Sequence, residues 1–120
     1  MTALLDAAEG LLSGGVDKTR GIWPRATAFL IRGALEDALD RYWEVVEPGV
    51  QSVSKRAQML LLPAYVKDPE TLRQVRETWL GLSRACHHHA YELAPTAPEL
   101  RGWLAAAYSF TAFVERRTTK

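Results

Sequence analysis

The stretch from Asp68 to Leu93, DPETLRQVRETWLGLSRACHHHAYEL, decides how the chain can fold. Asp68, Pro69 and Glu70 are the residue types that favour a helix N-cap, a first helical position and a first turn. The residues of the predicted core seam that follow recur at alternating spacings of three and four, which aligns them on one side of a helix. They are Leu72, Val75, Trp79, Leu82, Cys86, His89 and Leu93. The pattern predicts a central amphipathic helix that Pro95 brings to an end.

Helix signals continue on both sides of this stretch. Residues 96–99, TAPE, have the pattern of a capping box with proline near the first helical position, and they open the last helix. Upstream, Pro24 begins a long helix, and Ser52 or Ser54 can cap a short one. The predicted helices cover about residues 2–13, 24–47, 52–63, 68–94 and 96–114, with frayed residues 115–120 at the end. Because alternating apolar and polar runs are missing, the sequence predicts an all-α fold, an antiparallel bundle of four to five helices.

Length and composition fit one globular domain. The chain has 120 residues, of which 48% are hydrophobic and 24% charged, so residues 1–120 are expected to form a single helical domain. The 15 Lys and Arg residues nearly balance the 14 Asp and Glu residues, for a net charge of +1. This balance excludes an extended nucleic-acid surface and leaves room only for a local RNA contact.

Cysteine usage and the first residues bear on the compartment. Cys86 is the only cysteine, so no internal disulfide can form. Asp6 lies where a signal peptide carries its basic region, and no run of apolar residues is long enough for a membrane span. These features predict a cytoplasmic protein without a membrane segment.

All three histidines and the only cysteine occupy the consecutive positions 86–89. Imidazole and thiolate are good ligands for zinc or nickel, but consecutive helical side chains point about 100° apart and do not converge on one ion. Only the pairs Cys86 with His89 and His88 with Glu92 have useful spacing. We therefore expect no native metal site and no cofactor. A buried, hydrogen-bonded imidazole at His89 is the simplest structural interpretation of this position.

The acidic residues of the long second helix have a simple interpretation. Glu36, Asp37 and Asp40 lie at helical offsets from Arg32 and Arg41. The spacing predicts exposed ion pairs along one solvated face rather than a catalytic acidic cluster.

A short motif connects the histidine cluster to a known family. Arg84, His89 and Tyr91 give the pattern R-x4-H-x-Y on the predicted penultimate helix. This pattern resembles the HEPN domain, in particular the HEPN toxin of HEPN/minimal-nucleotidyltransferase toxin–antitoxin pairs. Residues 34–39, ALEDAL, in the second helix are more loosely similar. Family members usually carry a polar residue directly after the arginine, where this chain has Ala85.

The resemblance implies a HEPN-like bundle and a metal-independent ribonuclease that works as a homodimer, with the motif helices of two protomers lining one cleft. Cleavage of RNA by its own 2′-hydroxyl needs a group that titrates near neutral pH and a fixed cation for the charged phosphorane. His89 and Arg84 would take these catalytic roles. On an ideal helix their side chains point about 140° apart, so His88, one turn from Arg84, is the alternative histidine. Tyr91 would accept nucleotides from a partner nucleotidyltransferase antitoxin, and this modification would block RNA binding.

A second class of function stays open. The chain is then a catalytically inactive HEPN-like helical module for protein or ligand binding, with the histidine cluster packed at an interface. Aromatic side chains spread over several helices are expected to anchor the core or a dimer interface. These are Trp23, Trp43, Trp79 and Trp103.

Overall fold

The computed structural model describes residues 2–14, 23–87 and 94–118. These ranges contain five α-helices and no strand, so the prediction of an all-α bundle is confirmed. The helices are α1 (Ala3–Gly14), α2 (Trp23–Val46), α3 (Lys55–Leu61), α4 (Pro69–Cys86) and α5 (Ala97–Thr118). Short 3₁₀ turns at Val50–Ser52 and Leu62–Ala64 flank α3. Within the described ranges, no helix combines the length and the apolar character that a membrane span requires.

Local capping fixes where α4 and α5 begin. The Asp68 carboxylate accepts hydrogen bonds from the Thr71 amide at 3.1 Å and the Thr71 hydroxyl at 2.6 Å. These bonds lower the pKa of Asp68. At the start of α5, Thr96 and Glu99 bond reciprocally, with amide donors at 2.9 and 3.2 Å. Both predicted caps are therefore confirmed.

The chain reverses between α2 and α3 through a glycine turn. Gly49 has a φ of 108°, in the left-handed region where a side chain would be strained. Of the two serines considered as caps, Ser54 caps α3 by accepting a bond from the Ala57 amide at 3.1 Å. The α-helix ends at Leu61, and Pro63 falls in the 3₁₀ turn that follows.

The two longest helices, α2 and α5, form the central pair, and α1 and α4 each contact both of them. The rings of Tyr42 and Phe113, late in α2 and α5, have centroids 6.1 Å apart, so these two helices run in the same direction. α4 runs in the opposite direction, because Arg25 at the start of α2 bonds to Ala85 at the end of α4. Consecutive long helices therefore alternate in direction, as in an antiparallel bundle.

α1 covers one side of the central pair. The Tyr108 hydroxyl of α5 donates to the Asp6 carboxylate of α1 at 2.7 Å, and this bond raises the pKa of Tyr108 to about 12. Asp6 lies early in α1 and Tyr108 lies in the second half of α5. α1 is thus antiparallel to α5.

One hydrophobic core joins all five helices. Its largest fully buried side chains are Trp43, Tyr42 and Phe110. Tyr42 and Trp43 meet edge to face, with ring centroids 5.2 Å apart. Burying a side chain of this kind contributes roughly 1.5–3 kcal/mol. The other helices contribute aliphatic residues, among them Leu5, Ala8, Leu12, Met59, Val75, Leu82, Leu100, Leu104 and Val114.

The apolar side of α4 agrees with the sequence pattern as far as Cys86. Val75 and Leu82 are buried. The half-buried members of the same seam, Leu72, Trp79 and Cys86, pack against the core. The last two predicted members, His89 and Leu93, lie outside the described residues.

Two predicted helix ends are wrong. α4 was expected to continue to residue 94, but it ends at Cys86, and His87 has the extended angles φ −79° and ψ 119°. At this helix end the Ala85 carbonyl accepts a hydrogen bond from the Arg25 side chain, which satisfies one of the terminal acceptors. α5 was expected to fray after residue 114, but it remains helical to Thr118.

A buried polar network anchors α3 to the central pair. Trp43 Nε1 donates to Gln58 Oε1 at 3.0 Å, and both side chains are fully buried. Gln58 Nε2 donates to the Val53 carbonyl at 2.9 Å. Because the Trp43 indole and the Gln58 amide are both removed from water, losing one leaves the other unsatisfied.

Replacement of Gln58 by leucine is expected to lower the free energy of unfolding by about 1–3 kcal/mol, since the Trp43 indole and the Val53 carbonyl lose their partner. Urea denaturation measures the difference. Gln74→Leu is the matched control, because the Gln74 side chain is half-buried on α4 and its amide donates to the solvent-exposed Glu70 carboxylate; it should change stability by less than about 0.5 kcal/mol. Equal effects of the two substitutions would show that the network does not stabilise the fold.

Candidate functional site

A cleft lies at the end of the bundle where the start of α2, the end of α4 and the start of α5 meet. Its volume is about 320 Å³. The residues that line it include Arg25, Gly81, Arg84, Ala94, Glu99 and Trp103. Two guanidinium groups and one carboxylate carry the charge of this lining, so an anionic group is the ligand that it favours.

Arg84 lies in the last turn of α4, and its side chain is exposed at this cleft. A cation at this position is favoured by the partial negative charge of the helix C-terminus. Of the predicted catalytic and modification residues, Arg84 is the one that falls within the described ranges. The structure places it at a concave surface that a phosphate group can reach.

Arg25 is a residue that the sequence analysis missed. Its Nη1 donates to the Ala85 carbonyl at 2.9 Å, which joins the first turn of α2 to the last turn of α4. One indication of its importance is visible in the sequence. Arg25 lies in the first turn of a helix, where the helix dipole disfavours a positive charge. A cation in such a position indicates a tertiary partner, although the partner itself lies 60 residues away.

Glu99, the carboxylate of the cleft, is engaged in the cap of α5. Its Oε1 accepts bonds from the Thr96 amide at 2.9 Å and the Thr96 hydroxyl at 3.1 Å. These contacts hold the carboxylate at the helix start. The cap therefore fixes the position of this carboxylate at the edge of the cleft.

A second polar group of side chains lies beside the cleft, between α2 and α4. Arg32 forms an ion pair with Glu36 at 3.1 Å and also neighbours the Cys86 thiol. Burial raises the pKa of Cys86, and the Arg32 guanidinium offsets this only in part. The Arg32–Glu36 pair agrees with the predicted helical offset. Asp40 differs from that prediction, because it pairs with Lys55 outside its own helix at 2.9 Å.

The remaining predicted site residues, His88, His89 and Tyr91, lie outside the described residues. Their helical relation to Arg84 was inferred from a helix that continues past them. Because α4 ends at Cys86, the rotation of about 100° per helical residue cannot be used to give the direction of either histidine side chain relative to Arg84. Two described residues border this segment. His87 directly follows α4, and Ala94 lines the cleft.

Metal ligation was judged from the same cluster. Within the ranges that the structure describes, no three His, Cys, Asp or Glu side chains are grouped so that they would hold an ion. His88 and His89 lie outside these ranges.

Comparisons of the chain with protein-family models, with curated proteins and with solved structures find no match. The resemblance to the HEPN family therefore depends on the R-x4-H-x-Y motif, on its predicted place in the penultimate helix and on the looser similarity of residues 34–39. The all-α bundle is established independently by the structure.

Trp103 forms one wall of the cleft through an unusually close helix contact. A Cβ atom added at Gly81 would lie 2.7 Å from Trp103 Cζ2 and 2.8 Å from Nε1. Only glycine lets the indole lie this close to α4. By contrast, a Cβ atom at Gly102 of α5 would meet nothing within 4 Å.

We expect Gly81→Ala to destabilise the protein by roughly 1–3 kcal/mol, because the indole must leave its place against α4. Gly102→Ala should instead stabilise by about 0.4–1 kcal/mol, as alanine favours a helix interior without a clash. Thermal unfolding of the two variants gives opposite signs of change. A stabilising effect at both positions would contradict the close contact.

The reactivity of Cys86 provides a separate check on the environment at the end of α4. Since burial raises the pKa of the thiol, alkylation at pH 7.5 should be slower than for a free cysteine, whose pKa is about 8.5. Arg32→Gln should slow it further by removing the nearby cation. The pH dependence of iodoacetamide labelling measures both, and an apparent pKa below the ordinary value would contradict this environment.

Proposed function

We propose that the protein is a metal-independent ribonuclease, acting in the cytoplasm as a toxin or defence protein, with the cleft beside Arg84 as its RNA site. The observation that supports this proposal is the pairing of two guanidinium groups, Arg84 and Arg25, on one concave surface next to the histidine segment. The carboxylate of Glu99 is already engaged by Thr96. Phosphate is the anionic group that such a surface suits best.

In the proposed reaction the 2′-hydroxyl of RNA attacks the adjacent phosphorus. His89 takes the proton of the 2′-hydroxyl, or protonates the leaving 5′-oxygen, because imidazole titrates near neutral pH. The products are a 2′,3′-cyclic phosphate and a free 5′-hydroxyl. Arg84 stabilises the extra negative charge on the phosphorane through two parallel hydrogen bonds. His88 is the alternative source of the imidazole.

The proposal includes a homodimer, because the resemblance to the HEPN family implies a cleft that the motif segments of two protomers share. A two-fold axis would bring two such ends together in one isologous interface. Tyr91 would accept nucleotides from a nucleotidyltransferase antitoxin. The added phosphates would then compete with RNA for Arg84.

A specific observation favours the second candidate function, a catalytically inactive helical module for protein or ligand binding. α4 ends at Cys86, so the motif lacks the continuous helix that the resemblance implies. In such a module the cleft would bind an anionic ligand without cleaving it. Loss of turnover with retention of binding distinguishes this function from the ribonuclease.

Arg84→Lys is expected to lower RNA cleavage by roughly ten- to a thousandfold, since lysine keeps the charge but loses the planar fork that holds two phosphate oxygens. The melting temperature should stay within a few degrees, because Arg84 is exposed. Cleavage of fluorescent RNA in the presence of EDTA measures the effect. Arg116→Lys, at an exposed position on α5, is the matched control and should retain full activity.

His89→Gln should abolish cleavage while leaving the fold intact, and His88→Gln tests the alternative histidine. Mixing the Arg84→Lys and His89→Gln proteins separates the dimeric site from a site within one protomer. If the two residues come from different protomers, subunit exchange restores one intact site in half of the dimers, about a quarter of wild-type activity. Absence of cleavage by wild-type protein, with RNA still bound, would establish the inactive module.

A further inference from the structure

A second concave surface lies on another face of the bundle, between α3 and α4. Its volume is about 340 Å³, and we call it the α3–α4 groove. Its lining residues are Arg56, Met59, Leu60, Arg76, Trp79 and Leu80. None of them belongs to the cleft beside Arg84.

The groove exposes an unusual amount of apolar surface. Leu60 is 75% exposed and Leu80 is 59% exposed, and they lie on facing elements of the same groove. Neighbouring Leu61 is also exposed. Large apolar side chains grouped around a concavity and rimmed by charge are typical of a protein interaction site.

The charged residues of the groove all have the same sign. Arg56 and Arg76 are exposed, and neither has a carboxylate partner among the described residues. Arg73, on the same helix, is bridged instead to Glu70 and Glu77. The groove therefore combines an apolar floor with unneutralised positive charge.

We propose that the α3–α4 groove binds an amphipathic helical segment of a partner protein whose apolar face is flanked by carboxylates. Apolar anchors would occupy the space between Leu60, Trp79 and Leu80, as in other helix-in-groove complexes. The carboxylates would pair with Arg56 and Arg76 at the rim. This surface is independent of the proposed ribonuclease site.

The same charges disfavour the other occupants. A second copy of the chain placed across a two-fold axis would bring two Arg56 and two Arg76 side chains together, and the residues that line the groove include no carboxylate to offset them. RNA would find two cations but an aliphatic floor formed by Met59, Leu60 and Leu80, with a single aromatic ring for base stacking.

Fluorescence anisotropy with two labelled peptides tests the proposal. Both peptides are helical and about 15 residues long, with leucine and phenylalanine along one face. One carries glutamate beside this face, and the other carries lysine at the same positions. We expect saturable binding of the glutamate peptide and at least tenfold weaker binding of the lysine peptide.

Substitutions on the full chain locate the binding site. Arg76→Glu and Leu80→Asn should each weaken binding of the glutamate peptide by at least about tenfold. Arg41→Glu makes the same charge change at an exposed position on α2, and Phe29→Asn removes an exposed apolar side chain there. Both controls should bind like wild type.

Three results would overturn the proposal. The first is that the glutamate and lysine peptides bind with equal affinity, or that neither of them binds. Another is binding that Arg76→Glu and Leu80→Asn leave unchanged although both variants keep the wild-type melting temperature. The third is a different occupant, shown by a dimer that Leu80→Asn dissociates in light scattering, or by single-stranded RNA that displaces the glutamate peptide.

Discussion

The packing of α2 against α5 is the interaction on which the rest of the structure depends. These helices are 24 and 22 residues long, and Tyr42 of α2 packs against Phe110 and Phe113 of α5 between them. Because the two run in the same direction, the chain must return through α3 and α4 before α5 can begin. α1 and α4 then cover the two sides that the central pair leaves open. The cleft beside Arg84 and the α3–α4 groove lie at the margins of this arrangement, the first where α2, α4 and α5 meet and the second where α4 meets α3.

The parts of the fold that the sequence predicts well are those decided by neighbouring residues. The caps at Asp68 and Ser54 depend on groups three positions away, so their patterns are visible in the sequence. The bond between Arg25 and the Ala85 carbonyl at the end of α4 instead joins residues that are 60 positions apart. Asp40 likewise forms its ion pair with Lys55 of α3 rather than with a residue of its own helix. A pattern of spacings contains no information on such contacts between helices.

The candidate site shows the same division. Arg84 was chosen from a motif, and the structure places its side chain at a cleft. The other lining groups, Arg25 and Trp103, come from distant parts of the chain, and no local pattern connects them to Arg84. The end of α4 also removes the geometric argument that distinguished His88 from His89, because that argument assumed a continuous helix. Helical spacing therefore does not decide between His88 and His89, and the choice depends on the activity of the two substituted proteins.

The modest anchoring of α3 has a consequence for how the protein opens. α3 has seven residues, of which only Gln58 and Met59 are buried. Such a segment detaches at a lower free energy than the central helices, so its amide hydrogens should exchange through sub-global opening while α2 and α5 stay closed. Since α3 forms one wall of the groove that contains Leu60, each opening event dismantles this surface. A bound helix would slow amide exchange in α3 and would make the least protected helix part of the cooperative unit.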